Sequence, residues 1–234
     1  MTVSAARTPP TGAFDSGGRE PYANALRDPA RTVYLRPADD DVPHDLSPDA
    51  VRLEIERFLA GADDGDADVL TSATGPVIDI GCGPGRFVHA AIMAGHLTLG
   101  IDISETAVRI AQEHGLPVLC RSVFQDLPGE GTWGTALLID GNIGIGGDPV
   151  ALLRRCADLV REVDGRVLVE THPDAARDRI FTGVLVDDLS RESLPFPWAE
   201  VGADALREYA AAADLTVTRE WTVNGRAFAE YARR

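Results

Sequence analysis

The feature that most constrains this fold is an apolar run that ends in three closely spaced glycines. Residues 76–87 read PVIDIGCGPGRF, which begins with a β-branched stretch typical of a buried strand. Gly81, Gly83 and Gly85 follow at alternate positions. Because glycine tolerates positive φ and lets another group approach the backbone, this pattern predicts a tight turn wrapped against a ligand.

The same strand begins an alternation of apolar strands and helices. Strands buried on both faces and separated by helices predict right-handed crossovers and a doubly wound parallel sheet, with helices on both faces. The last two strands, LTVTREWTV and RAFAEYARR, flank Asn224-Gly225, a dipeptide favoured in type I′ hairpins. The expected fold is therefore α/β, with a seven-stranded, mostly parallel sheet and an antiparallel C-terminal hairpin. The five preceding strands are predicted at residues 76–80, 97–102, 117–122, 135–140 and 166–171.

The N-terminal part of the chain has a different pattern. Residues 1–20 are rich in Pro, Gly, Ser and Thr without a hydrophobic period, which predicts a flexible tail. Residues 47–61, SPDAVRLEIERFLAG, predict a helix that starts at the Ser-Pro pair. Residues 61–68, GADDGDAD, predict an acidic loop. We assign residues 21–75 to an N-terminal helical cap.

The assigned core spans residues 76–234 and contains one interruption. Residues 148–165 predict a helix with an apolar stripe that includes Val163, and residues 203–213 predict another helix. Between the fifth strand and the second of these helices, the sequence leaves the α/β alternation. We therefore assign about residues 174–202 to an inserted lid segment.

Composition excludes several classes of function. The net charge of −15, from 37 acidic and 22 basic residues, repels a phosphate backbone and disfavours nucleic acid as a partner. No apolar run reaches the roughly eighteen residues that span a bilayer, and the N-terminal residues lack the apolar region of a signal peptide. We therefore expect a cytoplasmic protein without a membrane partner. All 22 basic residues are arginines, which excludes a Schiff-base lysine and the lysine of a P-loop.

The cysteines and histidines do not suggest a covalent or metal framework. Cys82, Cys120 and Cys156 are odd in number and widely spaced, so neither a disulfide framework nor a zinc site is indicated. The five histidines also lack metal-ligand spacing. We expect no metal in this protein.

The glycine turn lies where open α/β sheets bind ligands, beyond the carboxyl end of a strand. A dinucleotide fingerprint would read G-x-G-x-x-G, but Arg86 occupies the position of the third fingerprint glycine. Asp79, near the end of the strand, would repel a phosphate and favours a cationic ligand. A nicotinamide cofactor is therefore disfavoured.

These motifs, in this order, resemble those of the class I S-adenosylmethionine-dependent methyltransferases over roughly residues 76–232. The resemblance implies a Rossmann-like fold, S-adenosyl-L-methionine as cofactor and a small-molecule methyl acceptor. VIDIGCGPG resembles the first motif of the family, which implies that Asp79 receives the ammonium group of the cofactor. The residues implied to contact its methionine part are Asp79, Gly81, Cys82, Gly83 and Gly85.

Three further motifs extend the resemblance. LGIDIS resembles the second motif, in which Asp102, 21 residues after the first glycine of the turn, would bind the ribose hydroxyls next to Ile103. SVFQDLP resembles the loop that borders the adenine; family members often carry an acid where this chain has Val123, so Val123 and Phe124 would pack on the base. LLIDG resembles the fourth motif, with Asp140 at the mouth of the transfer site.

One histidine is a candidate general base. RVLVETH brings His172 to the carboxyl end of the fifth strand, beside the expected acceptor site. An imidazole there would take a proton from a hydroxyl or amine near neutral pH. The structural alternative is a loop histidine that hydrogen-bonds the backbone before Pro173.

Aromatic and basic residues outside the core motifs are candidates for an acceptor pocket. Tyr22, Tyr34 and Arg36 precede the cap helix, and Trp198 belongs to the inserted segment. Both segments can fold over the carboxyl edge of the sheet and line a pocket there. The alternative is that these aromatics form an ordinary satellite core.

The sequence thus predicts a methyltransferase that uses S-adenosyl-L-methionine on a small molecule. Two alternatives stay open: an NAD(P)-dependent oxidoreductase, and a regulatory domain that binds the cofactor without transferring its methyl group. The sequence leaves the methylated atom and the oligomeric state open, including a homodimer.

Overall fold

A computed structural model of the chain describes residues 12–16, 20–39 and 49–234. The strands are β1 (Val33–Pro37), β2 (Val51–Arg52), β3 (Val77–Ile80), β4 (Thr98–Asp102), β5 (Val118–Cys120), β6 (Thr135–Leu138), β7 (Arg166–Thr171), β8 (Asp178–Asp187), β9 (Phe196–Val201), β10 (Leu215–Val223) and β11 (Arg226–Arg233). The helices are α1 (Pro21–Arg27), α2 (Ile55–Leu59), α3 (Asp64–Thr71), α4 (Arg86–Met93), α5 (Glu105–Glu113), α6 (Pro149–Leu159) and α7 (Ala203–Ala212), with a 3₁₀ segment at Asn142–Gly147.

The larger sheet has the predicted architecture. Its strand order is β10-β11-β7-β6-β3-β4-β5, and the five strands from β7 to β5 are parallel. β11 pairs antiparallel with both β7 and β10. Asn224 and Gly225, at the hairpin turn, have φ of +52° and +78°, as a type I′ turn requires. The Rossmann-like, seven-stranded fold with an antiparallel C-terminal hairpin is therefore confirmed.

Helices cover both faces of this sheet because successive strand residues point to opposite sides. Val77 packs with Phe87 of α4 and Val69 of α3 on one face. Ile78 belongs to a separate cluster on the other face, which includes residues of α6 and α7 such as Leu152. The carboxyl edge of the sheet stays open between these layers. Within the described residues, no helix is long and apolar enough to cross a membrane.

A second, antiparallel sheet joins the cap to the inserted segment. Its strand order is β2-β1-β8-β9, so the N-terminal strand β1 pairs with β8 of the insertion. The register brings Leu35 opposite Leu185. The insertion is thus mainly a pair of strands, and the segment predicted as a helical cap contributes two strands besides its helices. We refer to this four-stranded sheet as the cap sheet.

The predicted helix at residues 47–61 is wrong in most of its length. Residues 47 and 48 lie outside the described residues, and the helix α2 begins only at Ile55. Val51 and Arg52 form β2 instead, and the N–H of Leu53 donates to the carbonyl of Val33 at 2.8 Å. Pairing with β1 therefore overrides the local helical pattern.

The predicted acidic loop at 61–68 is also wrong, because its second half begins α3. The side chain of Asp63 accepts a hydrogen bond from the N–H of Asp66 at 2.8 Å. The side chain of Asp66 in turn accepts from the N–H of Asp63 at 3.1 Å. This reciprocal capping box satisfies donors that a helix start leaves unpaired.

Two other predictions need correction. The helix predicted at 148–165 ends at Leu159, because Val160 leaves it to form a parallel bridge with Trp133. Val163, which was predicted to be on the apolar stripe, is 94% exposed. The predicted flexible tail lies mostly outside the described residues, but Asp15 is buried and accepts hydrogen bonds from the N–H groups of Tyr22 and Ala23.

Candidate active site

The glycine turn leaves the carboxyl end of β3 in a conformation that only glycine adopts readily. Gly81, Gly83 and Gly85 have φ of +72°, +53° and +95°. A Cβ at Gly85 would lie 2.5 Å from Cδ1 of Leu116. The amide of Asn142 donates to the carbonyl of Gly81 at 2.9 Å and so holds the turn against the loop after β6.

A cavity of about 260 Å³ opens over this turn at the carboxyl edge of the large sheet. Its floor comes from the ends of β3, β4 and β6 and the loop after β5, and its roof comes from the cap sheet and the N-terminal segment. A smaller cavity of about 30 Å³ is lined by the turn itself, and it shares several lining residues with the larger one. The residues that line both cavities are Phe58, Gly81, Asp140 and Asn142.

Asp102 ends β4 on the floor of the larger cavity. Its carboxylate accepts hydrogen bonds from the N–H of Gly83 at 2.8 Å and from the N–H of Ser104 at 2.7 Å. Burial raises the pKa of Asp102, although these two hydrogen bonds act in the opposite direction. The carboxylate is fixed in orientation, and lone pairs of both oxygens remain for a ligand.

Asp79 lines the smaller cavity and is buried. Burial, together with the negative charges of Asp140 and Asp102, raises the pKa of Asp79 to about 7, and only Arg86 opposes this shift. Within the described part of the chain, no hydrogen bond to its side chain is formed. A buried carboxyl group without such a partner carries a large desolvation cost, which a cationic ligand would relieve.

Asp140 lies at the junction of the two cavities in a left-handed conformation, with φ of +55°. Its N–H donates to Oε2 of Glu170 at 2.8 Å, and its carboxylate is paired with Arg86. Burial raises the pKa of Asp140, and Arg86 opposes that shift. A non-glycine residue at positive φ is costly, and these two contacts hold it in place.

Asp140 belongs to a larger group of paired ions, of which Asp66 and Arg86 are buried. Arg226 of β11 bonds to Asp66 and to Glu170, both at 2.6 Å. Arg86 also pairs with Asp66, and Arg57 of α2 lies 3.2 Å from it. We name these residues the ion cluster, and they come from six different elements or their ends. Its members are Arg57, Asp66, Arg86, Asp140, Glu170 and Arg226.

The apolar positions predicted to border an adenine also lie at the larger cavity. Ile103, Val123 and Phe124 all line it. Val123 is buried, whereas Phe124 and Ile103 are 49% and 39% exposed. Cys82 lines only the smaller cavity, where burial raises the pKa of its thiol well above the usual value.

The predicted acceptor residues divide into two pairs. Tyr22 and Trp198 line the larger cavity. Tyr34 and Arg36 do not, because side chains alternate along β1 and the intervening Leu35 points into the cavity. Arg36 bonds to Glu192 at 2.6 Å instead. The strand alternation explains why this half of the prediction does not meet the cavity.

His172 also lies outside the lining of both cavities. Its N–H donates to the carbonyl of Val201, and its Nδ1 accepts from the N–H of Asp174 at 3.1 Å. This is the loop histidine that was the alternative at the sequence level. The structure does not bring His172 to the other candidate site residues.

Several residues at the site were not predicted from the sequence. Phe14, Leu35, Leu53 and Phe58 line the larger cavity, yet their positions along the chain carry no motif. Asn142 lies two residues after the predicted Asp140, in the sequence GNIG. Its side-chain amide, so close to a predicted site residue, is the signal from which a support for the turn could be predicted.

Comparisons with known proteins agree with this architecture. Residues 71–116 match the family model described as a methyltransferase domain. A comparison with curated proteins found no match. A solved S-adenosylmethionine-dependent methyltransferase from Bacteroides fragilis, in complex with S-adenosyl-L-homocysteine, superposes with a TM-score of 0.71 at 18% identity and covers 97% of this chain and 98% of that one.

Two further solved structures are similar over a smaller part of the chain. The CcbJ methyltransferase from Streptomyces caelestis has a TM-score of 0.56 at 15% identity, covering 75% of this chain and 92% of that one. The 1,6-didemethyltoxoflavin-N1-methyltransferase from Burkholderia thailandensis has a TM-score of 0.53 at 20% identity, covering 73% of this chain and 77% of that one. At these identities the likeness concerns the fold.

Proposed function

We propose that this chain is a class I S-adenosyl-L-methionine-dependent methyltransferase that acts on a small-molecule acceptor. The observation that carries the proposal is the position of Asp79 and Asp102 on the two sides of one glycine turn. The family match over residues 71–116 and the likeness to solved methyltransferases support the same conclusion.

The residues around the turn fit the parts of this cofactor. Asp79, a buried carboxyl group without a hydrogen-bond partner among the described residues, would pair with the cationic ammonium group. Asp102, already oriented by Gly83 and Ser104, would accept hydrogen bonds from the ribose hydroxyls. Ile103, Val123 and Phe124 would pack against the adenine. Cys82 would contribute packing rather than a nucleophile, because its thiol stays protonated.

Little chemistry is required of the protein itself. The cofactor supplies an electrophilic methyl carbon: the acceptor lone pair forms the new bond, the electrons of the broken carbon–sulfur bond stay on sulfur, and any acceptor proton leaves to solvent. This chain orients the acceptor and excludes water, and orientation alone accounts for on the order of 7 to 11 kcal/mol in favourable cases. Asp140, fixed by Glu170 and Arg86, would border the transferred group.

The cavity volume of about 260 Å³ supports a small acceptor. Tyr22 and Trp198 would contact it from the roof. The net charge of −15 supports the prediction that nucleic acid is not a partner. A cytoplasmic location and a homodimer stay predictions from the sequence.

The two alternatives are less well supported. An NAD(P)-dependent oxidoreductase would bring a pyrophosphate next to Asp79, where its charge would be repelled. A regulatory domain would bind the cofactor without turnover, and Asp140 at the junction of the two cavities favours an active site instead.

Isothermal calorimetry tests the proposal directly. We expect S-adenosyl-L-methionine and S-adenosyl-L-homocysteine to bind, and NAD to show no binding. Asp102→Ala should weaken cofactor binding about tenfold or more, because it removes hydrogen bonds to a charged group. Asp164→Ala, on an exposed loop at the opposite edge of the sheet, is the control and should bind as the wild type does. Binding of NAD alone would contradict the proposal, and cofactor binding without turnover on any acceptor would favour the regulatory domain.

A further inference from the structure

The larger cavity has two chemically different halves. The cofactor half follows the glycine turn and the strand ends of the large sheet, whereas the acceptor half lies under the cap sheet and the N-terminal segment. The cofactor half consists of Gly81, Asp102, Ile103, Val123, Phe124 and Asp140. The acceptor half consists of Phe14, Tyr22, Leu35, Leu53, Phe196 and Trp198.

The acceptor half carries no ionisable group other than a phenol. Its residues belong to one hydrophobic cluster of the cap, which is separate from the clusters on the two faces of the large sheet. Among the described residues, Arg121 is the only arginine in the lining; it follows β5 on the cofactor side, and its guanidinium donates to the carbonyl of Asp126 at 2.8 Å. A charged group held within the acceptor half would therefore lose its hydration without gaining a counter-ion from the described residues of that half, which costs several kcal/mol or more.

The surfaces of the acceptor half are mainly aromatic. The ring of Phe14 lies 5.4 Å from that of Tyr22 and 5.2 Å from that of Phe196, both edge to face. It lies 5.7 Å from the ring of Trp198, in a tilted arrangement. These rings contact one another and all of them line the cavity, so a flat ring placed against this wall gains offset and edge contacts in addition to the gain from burial.

Two polar atoms in this half have no hydrogen-bond partner among the described residues. They are the indole N–H of Trp198 and the hydroxyl of Tyr22, whose side chain is only 6% exposed. Burial and the nearby Asp102 raise the pKa of Tyr22 well above its usual value, so its hydroxyl stays protonated. The indole nitrogen, which lies next to Gly144, is a donor only, so a ligand that meets it has to present an oxygen or another acceptor atom.

We propose that the methyl acceptor is an uncharged, planar aromatic compound that carries a hydrogen-bond-accepting oxygen. This inference rests on the proposed function, because it concerns the acceptor side of the same cavity. The ring lies among Phe14, Phe196 and Trp198, and its oxygen meets the indole N–H. Charged and non-planar acceptors are excluded by the same walls.

Three probes of matched size test this class on the protein saturated with S-adenosyl-L-homocysteine. They are 2-naphthol, which is neutral and planar; 2-naphthoate, which is planar and anionic; and decahydro-2-naphthol, which is neutral and not planar. By calorimetry, 2-naphthol should bind about tenfold more tightly than either of the others, as the loss of ring contacts or the burial of a charge implies. Equal or tighter binding of 2-naphthoate or decahydro-2-naphthol would overturn the proposal, and so would the absence of binding by all three.

Variants of Trp198 test whether its indole contacts the acceptor. Trp198→Phe keeps a ring and removes the donor, so binding of 2-naphthol should weaken several-fold, and Trp198→Ala should weaken it further. Trp221→Phe is the matched control, because the indole of Trp221 on β10 bonds to Asp68 of α3 and does not line the cavity, so the affinity of this variant for 2-naphthol should not change. Wild-type affinity in Trp198→Ala would overturn the assignment of this half as the acceptor site.

The two levels of the proposal fail in different ways. If S-adenosyl-L-homocysteine does not bind, the proposed function itself is wrong. If it binds with the same affinity in the wild type and in all the tryptophan variants but 2-naphthol has no advantage, only the acceptor class is wrong.

Discussion

In the proposed function, the charge state of Asp79 links pH to cofactor binding. Its pKa is raised to about 7 by burial and by Asp140 and Asp102, with Arg86 opposing. A bound ammonium group favours the ionised carboxylate, so below pH 7 binding has to release a proton. The affinity for S-adenosyl-L-methionine should therefore rise about tenfold between pH 6 and pH 8.

Calorimetry at several pH values, in two buffers of different ionisation enthalpy, measures both the affinity and the proton release. Asp79→Asn should bind weakly with little pH dependence, because the group that loses the proton is gone. Asp102→Asn is the comparison variant: it should also bind weakly but keep a pH dependence, moved to lower pH because the charge of Asp102 helps to raise the pKa of Asp79. The same slope in Asp79→Asn would show that another group is responsible.

Substitution of His172, which follows β7, separates its two interpretations, a general base and a loop histidine. As a general base it would control turnover, but its ring lies outside both cavities and accepts a hydrogen bond from the N–H of Asp174. We therefore expect His172→Ala to retain turnover within about twofold of the wild type, since a general base contributes on the order of a hundredfold or more. Steady-state kinetics with any accepted substrate measures this. A large fall in kcat with unchanged cofactor affinity would restore the base role.

At the scale of elements, the elements that could be predicted are those whose signals lie between residues close together in the sequence. β3, β4 and the C-terminal hairpin were predictable because their signals are local: β-branched runs, glycines at positive φ and the Asn224-Gly225 turn. The cap sheet was not, since β1 and β8 are stabilised by pairing across about 150 residues, as in the pair Leu35 and Leu185. Such pairing leaves no short-range trace in the sequence.

The same difference between local and long-range signals separates the two halves of the candidate site. Its cofactor half comes from strand ends in consecutive motifs, and the resemblance of these motifs to the family predicted that Asp102 and Asp140 lie there. Its acceptor half combines residues as distant as Phe14 and Trp198, which only the folded chain brings together. Strand alternation also determines which residues of β1 line the cavity. Predicting them requires the register of β1 in the cap sheet, which the composition of the segment does not give.

The start of α3 allows a test of its capping box against its ion pairs. Asp63→Ala removes an exposed N-cap and should lower the free energy of unfolding by about 1 kcal/mol. Asp66→Ala should cost about 3 to 5 kcal/mol, because its buried carboxylate pairs with both Arg86 and Arg226, which then share only Asp140 and Glu170 as counter-ions. Urea denaturation measures both. Asp64→Ala, exposed in the same first turn, is the control and should cost less than about 0.5 kcal/mol. Similar losses of unfolding free energy in Asp63→Ala and Asp66→Ala would contradict a structural role of the ion cluster.

At the scale of the whole molecule, the ion cluster connects distant parts of the chain beneath the cofactor half. Arg57 comes from the cap, and Arg226 comes from the C-terminal hairpin. Burial alone would raise the pKa of Asp66, but hydrogen bonds from Arg86 and Arg226 outweigh it and hold that pKa below its usual value. The stability that Asp66 contributes is therefore present above its unfolded pKa of 3.8 and lost only as the pH falls below it.

Two other buried carboxyl groups act in the opposite sense and determine how stability changes near neutral pH. Burial raises the pKa of Asp15 and of Asp79 to about 7 from 3.8. Such groups stabilise the fold most at low pH and lose that contribution as the pH rises through 7. Between pH 5 and pH 8 each should lower the free energy of unfolding of the cofactor-free protein by on the order of 2 to 3 kcal/mol. Urea denaturation across this range should show a decline in the wild type, a smaller one in Asp15→Asn or Asp79→Asn, and the smallest in the double variant, where Asp102 and Asp140, whose pKa values are also raised, still contribute. Asp164→Asn, on the surface, should keep the wild-type slope, and a double variant as steep as the wild type would mean that neither carboxyl group is protonated in the folded state at pH 5.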